Sequence, residues 1–233
     1  MESTISKEKL RNKYGFHNDD KIILSLGSIK KIKGSDTLLY AFLGLGITYI
    51  KNNNLKLLYV GEGPMKKGLI EIVKEKGFNK YVTFLGIIQH KEIPNIYKLS
   101  DIYVISSLFE GAPNSLLDAM FNGLPIIGTN INGINNLIQH GKNGLLYEKG
   151  NIKELSTKIM KIVENEDLSN KLSSAAKKAR LVEQNKFEYI ISQYIKSYEK
   201  VCKRKWFKIK IYQILFITAL EFSIGIGNTR ACG

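Results

Sequence analysis

Apolar and polar positions alternate along this chain in two registers. Short, nearly continuous apolar runs fall at 21–26, 55–60, 81–85, 101–105, 124–128 and 144–147. Runs of this length without a polar face suit strands covered on both sides, as in a parallel sheet. Between them lie stretches with helical spacing, at 35–51, 65–76, 91–99, 115–122 and 134–138. Strands alternating with helices predict an α/β fold built on a doubly wound parallel sheet.

Punctuation agrees with this pattern. Gly27, Gly61, Gly63, Gly86 and Gly128 each fall at or just after the C-terminal end of an expected strand. That is the edge where open α/β sheets bind ligands, although any one of these glycines could simply make a turn. Beyond Gly150 the pattern is helical only. Ile152, Leu155, Ile159, Ile162 and Val163 recur with a helical period, a second helix is expected over 168–181, and Phe187, Ile190, Ile191, Tyr194 and Tyr198 mark a third over 187–202. The expected organisation is a linker helix at 1–20, a ligand-binding domain at 21–182, a C-terminal helix at 183–205 and an apolar tail at 206–233.

Composition narrows the class. With 233 residues, 44% hydrophobic and 24% charged, the chain can bury a substantial core. A formal charge of +14 favours polyanionic or phosphate-bearing partners. Lysines are spread along the chain rather than gathered with exposed aromatics, which argues against nucleic acid. One dense basic run covers 196–210 and leads into an apolar stretch at 211–220. That stretch is short for a membrane span. The segment 196–220 could lie in a membrane interface, or form an ordinary amphipathic helix, or be a chain end altered by truncation. Cys202 and Cys232 make no disulfide framework, and His17, His90 and His140 make no metal constellation. No signal-peptide hydrophobic region follows the polar residues 1–13, so a cytoplasmic location is expected, with the inner face of the membrane as its variant.

The richest chemistry lies at 109–120. Here Phe109, Glu110, Gly111, Ala112, Pro113, Asn114, Ser115, Leu116, Leu117 and Asp118 run from the fourth expected strand into a helix. Pro113 suits a helix start, Asn114 or Ser115 can cap the first turn, and the free N–H groups there attract phosphate. Asp118 shares a helix face with Asn114, and Glu110 stands in the loop before the helix. Ionised carboxylates are strong, directional acceptors for sugar hydroxyls. Each residue also has a plain structural reading: Glu110 as a surface acid, Asp118 as a first-turn acid favoured by the helix dipole, Lys33 as a solvated loop residue.

This segment resembles the signature of family 4 retaining glycosyltransferases, two acids separated by seven residues, with Asp118 in place of the second Glu. The segments 123–129 and 141–146, the run Gly61-Glu62-Gly63-Pro64 and the pair Lys33-Gly34 are similar to that family's flanking motifs. The likeness extends over about 21–180. It implies one Rossmann-like half of a GT-B fold, the half that binds a nucleoside-diphosphate sugar, with no further cofactor and no metal. By this resemblance Glu110 contacts the donor sugar and Asp118 binds the ribose. Backbone N–H groups from Gly111 through Ala112, Pro113 and Asn114 to Ser115 hold sugar and phosphate, beside Gly27, Ser28 and Gly61. Lys33 neutralises the diphosphate. The Arg expected after Gly27 is replaced by Ser28, for which Lys30 or Lys31 could substitute, and an expected acid after Gly133 is replaced by Asn136.

The implied reaction is retaining transfer from the donor to a glycan or lipid-linked acceptor, in a setting such as polysaccharide or cell-envelope assembly. The acceptor-binding half of a GT-B enzyme has no counterpart in the sequence, so a truncated product, a split enzyme with an acceptor-domain subunit, and a non-catalytic nucleotide-sugar-binding module are the competing expectations. A sugar-nucleotide epimerase is disfavoured by the 110–118 segment.

Overall fold

The computed structural model describes residues 5–111 and 113–201. Expectations for the tail at 206–233, and for Ala112, lie outside the described residues. Contacts divide the chain into two units, Met1–Lys177 and Lys178–Gly233. All of the sheet and the candidate site belong to the first.

Among the described residues six parallel strands form one sheet: β1 (Lys21–Leu26), β2 (Leu55–Val60), β3 (Val82–Phe84), β4 (Ile102–Ile105), β5 (Ile126–Thr129) and β6 (Leu145–Tyr147). Their spatial order is β3-β2-β1-β4-β5-β6, so the winding reverses between β1 and β4. Such a reversal opens a crevice outside the carboxyl ends of the two central strands. In β1, Ile22, Ile23 and Leu24 are all fully buried, as expected of a strand covered on both faces. Burying each such side chain contributes about 1.5–3 kcal/mol. The protein has the α/β, Rossmann-like doubly wound architecture.

The helices are α1 (Lys7–Lys13), α2 (Ser35–Leu43), α3 (Ile47–Asn52), α4 (Lys66–Glu75), α5 (Ile93–Leu99), α6 (Asn114–Phe121), α7 (Ile152–Glu164) and α8 (Glu166–Val201). Side-chain caps open α1 and α7. Ser6 caps α1 by accepting from Lys9 N, and Asn151 caps α7 by accepting from Glu154 N. Leu155, Ile159, Ile162 and Val163 form the buried stripe of α7, which packs against α2.

Four expectations are corrected. The single helix expected over 35–51 is two helices, because Gly44 and Gly46 interrupt it and Gly46 takes a positive φ of 81° that starts α3 anew. The stretch 134–138 is a chain of turns rather than a helix. Asn143 stops it, donating to Leu137 O at 2.9 Å and accepting from Gln139 N at 2.6 Å, where a further helical turn would have been. The two helices expected over 168–181 and 187–202 are one continuous helix, α8. The strand expected to end at Gly128 runs on to Thr129, so Gly128 lies inside β5. Its missing Cβ admits Ile134, whose Cγ2 would stand 2.7 Å from that atom, so here glycine serves packing rather than a turn.

Among the described residues no helix is long and apolar enough to cross a membrane.

Candidate functional site

The site forms where the loops after β1 and β4 meet. The β1 loop leaves the sheet at Gly27, passes through a 3-10 turn at Lys31–Lys33 and enters α2 at Gly34, whose φ is 63°. A Cβ on Gly34 would sit 1.9 Å from Ser106 O, so only glycine lets this loop lie against the β4 loop. Ser106 Oγ donates to Lys33 O at 2.9 Å, and Leu108 N donates to Ile32 O at 2.8 Å. These bonds lock the loops together and bring Lys33 beside Glu110.

Lys33 Nζ stands 2.6 Å from Glu110 Oε2, and Ser107 Oγ donates to the same oxygen at 3.2 Å. The lysine side chain is 34% exposed and the carboxylate 11% exposed. Both line a cavity of about 110 Å³, with Gly27, Ser28 and Ser115 on the same wall. The site is therefore a paired cation and anion at the rim of the sheet, open to solvent on the lysine side. Gly133 backs the carboxylate loop, where a Cβ would meet Glu110 O at 2.4 Å. Gly61 backs Gly27 in the same way, at 2.0 Å from its carbonyl oxygen.

Helix α6 points its N-terminus toward this cavity. Its N-cap is Pro113, and no side chain caps it, contrary to the expectation for Asn114 or Ser115. These two residues are instead the first of the helix. Leu116 N and Leu117 N both donate to Pro113 O, so the N–H groups of Asn114 and Ser115 precede the first helical bond. Such groups, with the helix dipole, favour an anion.

Of the residues singled out from sequence, Gly27, Ser28, Lys33, Glu110 and Ser115 share the cavity wall. Gly61, Gly111, Pro113, Asn114 and Asp118 lie outside that wall. Asp118 is half-buried on α6; burial raises the phenol pKa values of Tyr97 and Tyr103, and the charge of Asp118 adds to the rise. Lys30 is exposed and does not line the cavity, while Lys31 Nζ pairs with Asp36. Sequence reasoning missed Ser106 and Ser107, which hold Lys33 and Glu110, and the buried Tyr59 and Tyr103 beneath the cavity. The serines directly follow β4, a position that could have marked them. Nothing in a strand's apolar pattern marks a tyrosine by its hydroxyl.

A parallel sheet with a charged cavity and a bare helix start at its switch point defines an α/β domain built to hold an anionic ligand. The chain belongs to the glycosyl transferases group 1 family, whose model matches residues 6–179. It is 29% identical over 195 residues to N-acetyl-alpha-D-glucosaminyl L-malate synthase of Bacillus anthracis, covering 84% of this chain and 49% of that protein. The chain spans about half the length of the curated relatives it matches. Two solved structures share the fold. One is the C-terminal domain of the group 1 glycosyl transferase LpcC from Francisella tularensis, at 23% identity and a TM-score of 0.68, covering 76% of this chain and 92% of that one. The other is HepE from Anabaena, solved with UDP, at 22% identity and a TM-score of 0.68, covering 80% of this chain and 52% of that one.

Proposed function

We propose that this chain is the donor-binding half of a retaining glycosyltransferase that moves a sugar from a nucleoside-diphosphate sugar to a glycan or lipid-linked acceptor. The observation that carries the reading is the convergence of Lys33 and Glu110 on one cavity between β1 and β4. Glu110 orients the hydroxyls of the donor sugar, and Asp118 takes the ribose. Lys33 leaves Glu110 for the diphosphate as negative charge builds on it, and the N–H groups of Asn114 and Ser115 face the same charge. Stabilisation of the leaving diphosphate by such fixed groups is usually the largest catalytic term. The bond from the anomeric carbon to the phosphate oxygen breaks, the acceptor oxygen bonds to the same face, and its proton passes to the departing phosphate. HepE was solved with UDP and with UDP-glucose, which favours a uridine donor here.

Transfer also needs an acceptor-binding surface opposite this sheet edge, on the same polypeptide or on a partner chain. Exposed Phe109 and Ile87, on the loops after β4 and β3, suit such a partly apolar facing surface. The basic-then-apolar sequence of 196–220 suits an anionic membrane face and hence a lipid-linked acceptor.

Calorimetric titration with a panel of nucleotide sugars tests the reading. One donor is expected to bind, and Glu110→Ala is expected to weaken that donor while leaving the free nucleoside diphosphate nearly unaffected. Equal affinities of the two proteins for every nucleotide sugar would overturn the assignment. A second reading, a binding module without turnover, is favoured by one observation: among the described residues lining the cavity, Lys33 is the single cation. Donor binding with no hydrolysis or transfer, even when the chain is supplied with an acceptor-binding half, would select it.

A further inference from the structure

Two buried tyrosines converge on one residue at the start of α6. Tyr103, on β4 and 1% exposed, donates its hydroxyl to Ser115 Oγ at 2.8 Å. Tyr97, on α5 and equally buried, donates to Ser115 O at 2.9 Å. Ser115 and Tyr103 both line the cavity that holds Lys33 and Glu110. The rings pack with centroids 6.1 Å apart, so the two phenols form one rigid floor under the helix start. Tyr59 provides a contrast. It too donates from a strand to a helix start, but to the backbone oxygen of Ser35. That bond anchors a helix. The Tyr103 bond reaches a side-chain hydroxyl on the cavity wall.

A serine hydroxyl has one proton and two lone pairs. With one lone pair accepting from Tyr103, one lone pair and the proton remain, and Ser115 borders the cavity in which an acceptor for that proton would sit. We propose that Tyr103 is a positioning residue that fixes the Ser115 hydroxyl as a donor to the diphosphate of the bound nucleotide. Burial holds the Tyr103 phenol protonated well above its ordinary range; the bond with Ser115 offsets part of this, and the Asp118 and Glu110 charges add to it. An ordinary phenol is already protonated at neutral pH, and the raised pKa keeps this one able to donate there. Polarised by the phenol, the serine makes a stronger bond to an anion than a freely rotating hydroxyl does.

The inference rests on the nucleotide-sugar reading above, and a double-mutant cycle separates the two. Binding of UDP, GDP and ADP is measured by calorimetry for the full chain and for Tyr103→Phe, Ser115→Ala and the double variant, with melting temperatures recorded alongside. Ser115→Ala is expected to weaken the preferred nucleotide roughly tenfold, and Tyr103→Phe roughly fivefold. In the Ser115→Ala background, Tyr103→Phe is expected to cost nothing further in affinity. Full additivity of the two losses, or unchanged affinity in Tyr103→Phe, would overturn the positioning role while leaving nucleotide binding intact. Failure of the wild-type chain to bind any of the three nucleotides would overturn the functional reading itself, and this inference with it. Unchanged affinity in Ser115→Ala would refute the proposal independently, even should Tyr103→Phe unfold.

Discussion

The two edges of this sheet carry ionic groups that serve opposite ends. At the amino edge, Asp101 accepts from Arg11 Nη2, from Lys7 Nζ at 2.7 Å and from Ile22 N at 2.8 Å. Arg11 is almost wholly buried and also donates to Leu99 O. That carboxylate is saturated by the protein itself, and it ties α1 to the start of the sheet. At the carboxyl edge Glu110 meets Lys33 and Ser107 beside an open cavity, with glycine backbone close by. The larger cavity, of about 960 Å³, lies at the amino edge, where Asp101 is already satisfied. Cavity size therefore does not find the chemistry. A charge the fold consumes is architecture, and a charge left facing solvent beside bare N–H groups is a candidate site.

The edges differ also in what fastens them. Phenol hydroxyls hold the carboxyl edge: Tyr59 on Ser35 O, Tyr97 and Tyr103 on Ser115, and Tyr147 beside Thr129 Oγ1 at 3.1 Å. Burial raises all four phenol pKa values above the ordinary 10.0, with Tyr147 pushed up to about 12. Their protonated form is favoured in the fold. This stability is complete below pH 10 and is lost as the unfolded chain ionises first, between pH 10 and 12 and beyond. The largest expected effect is therefore alkaline: denaturant titration should show stability falling progressively as pH rises above 10, where the phenols of the unfolded chain ionise first.

Next in size is Gly34→Ala. A Cβ 1.9 Å from Ser106 O, at φ 63°, forces the two site loops apart. A loss of about 4 kcal/mol, or failure to fold, is expected in chemical denaturation. A third pair of variants crosses the comparison. Asp101→Ala strands the buried Arg11 and should cost about 3 kcal/mol of stability with donor affinity unchanged. Lys33→Ala breaks a pair whose lysine is one-third exposed, and should cost under about 1 kcal/mol of stability while weakening nucleoside-diphosphate binding roughly thirtyfold. If Lys33→Ala cost as much stability as Asp101→Ala, or Asp101→Ala weakened nucleotide binding as Lys33→Ala does, the contrast between the edges would fail. The smallest effect should be a gain. Ser28→Arg adds a second cation to the cavity wall and is expected to tighten diphosphate binding roughly tenfold by calorimetry.

Much of this was legible before the structure. The strands at 21–26 and 55–60 coincide with the expected bounds, and the helix Ile152–Glu164 carries the expected apolar stripe, because a fully buried strand and an amphipathic helix each write their burial into local pattern. The ordered glycines and the 110–118 segment pointed to one edge of the sheet. Local pattern is silent where a partner distant in sequence decides the outcome. Gly34 must be glycine because Ser106 O stands where its Cβ would be, and Gly133 because Glu110 O does.

The chain's periodicity and turn residues alone determined that six strands would alternate with helices and that a carboxylate would precede a helix start. Only tertiary structure decided the strand order that opens a crevice between β1 and β4, and with it the meeting of Lys33 and Glu110 across 77 residues of chain. It also decided which lysine faces the cavity and which tyrosine hydroxyls hold its floor. Backbone preference and burial act over a few residues and leave a periodic trace. The pairing of side chains depends on how the layers pack, and packing has no signature in sequence order.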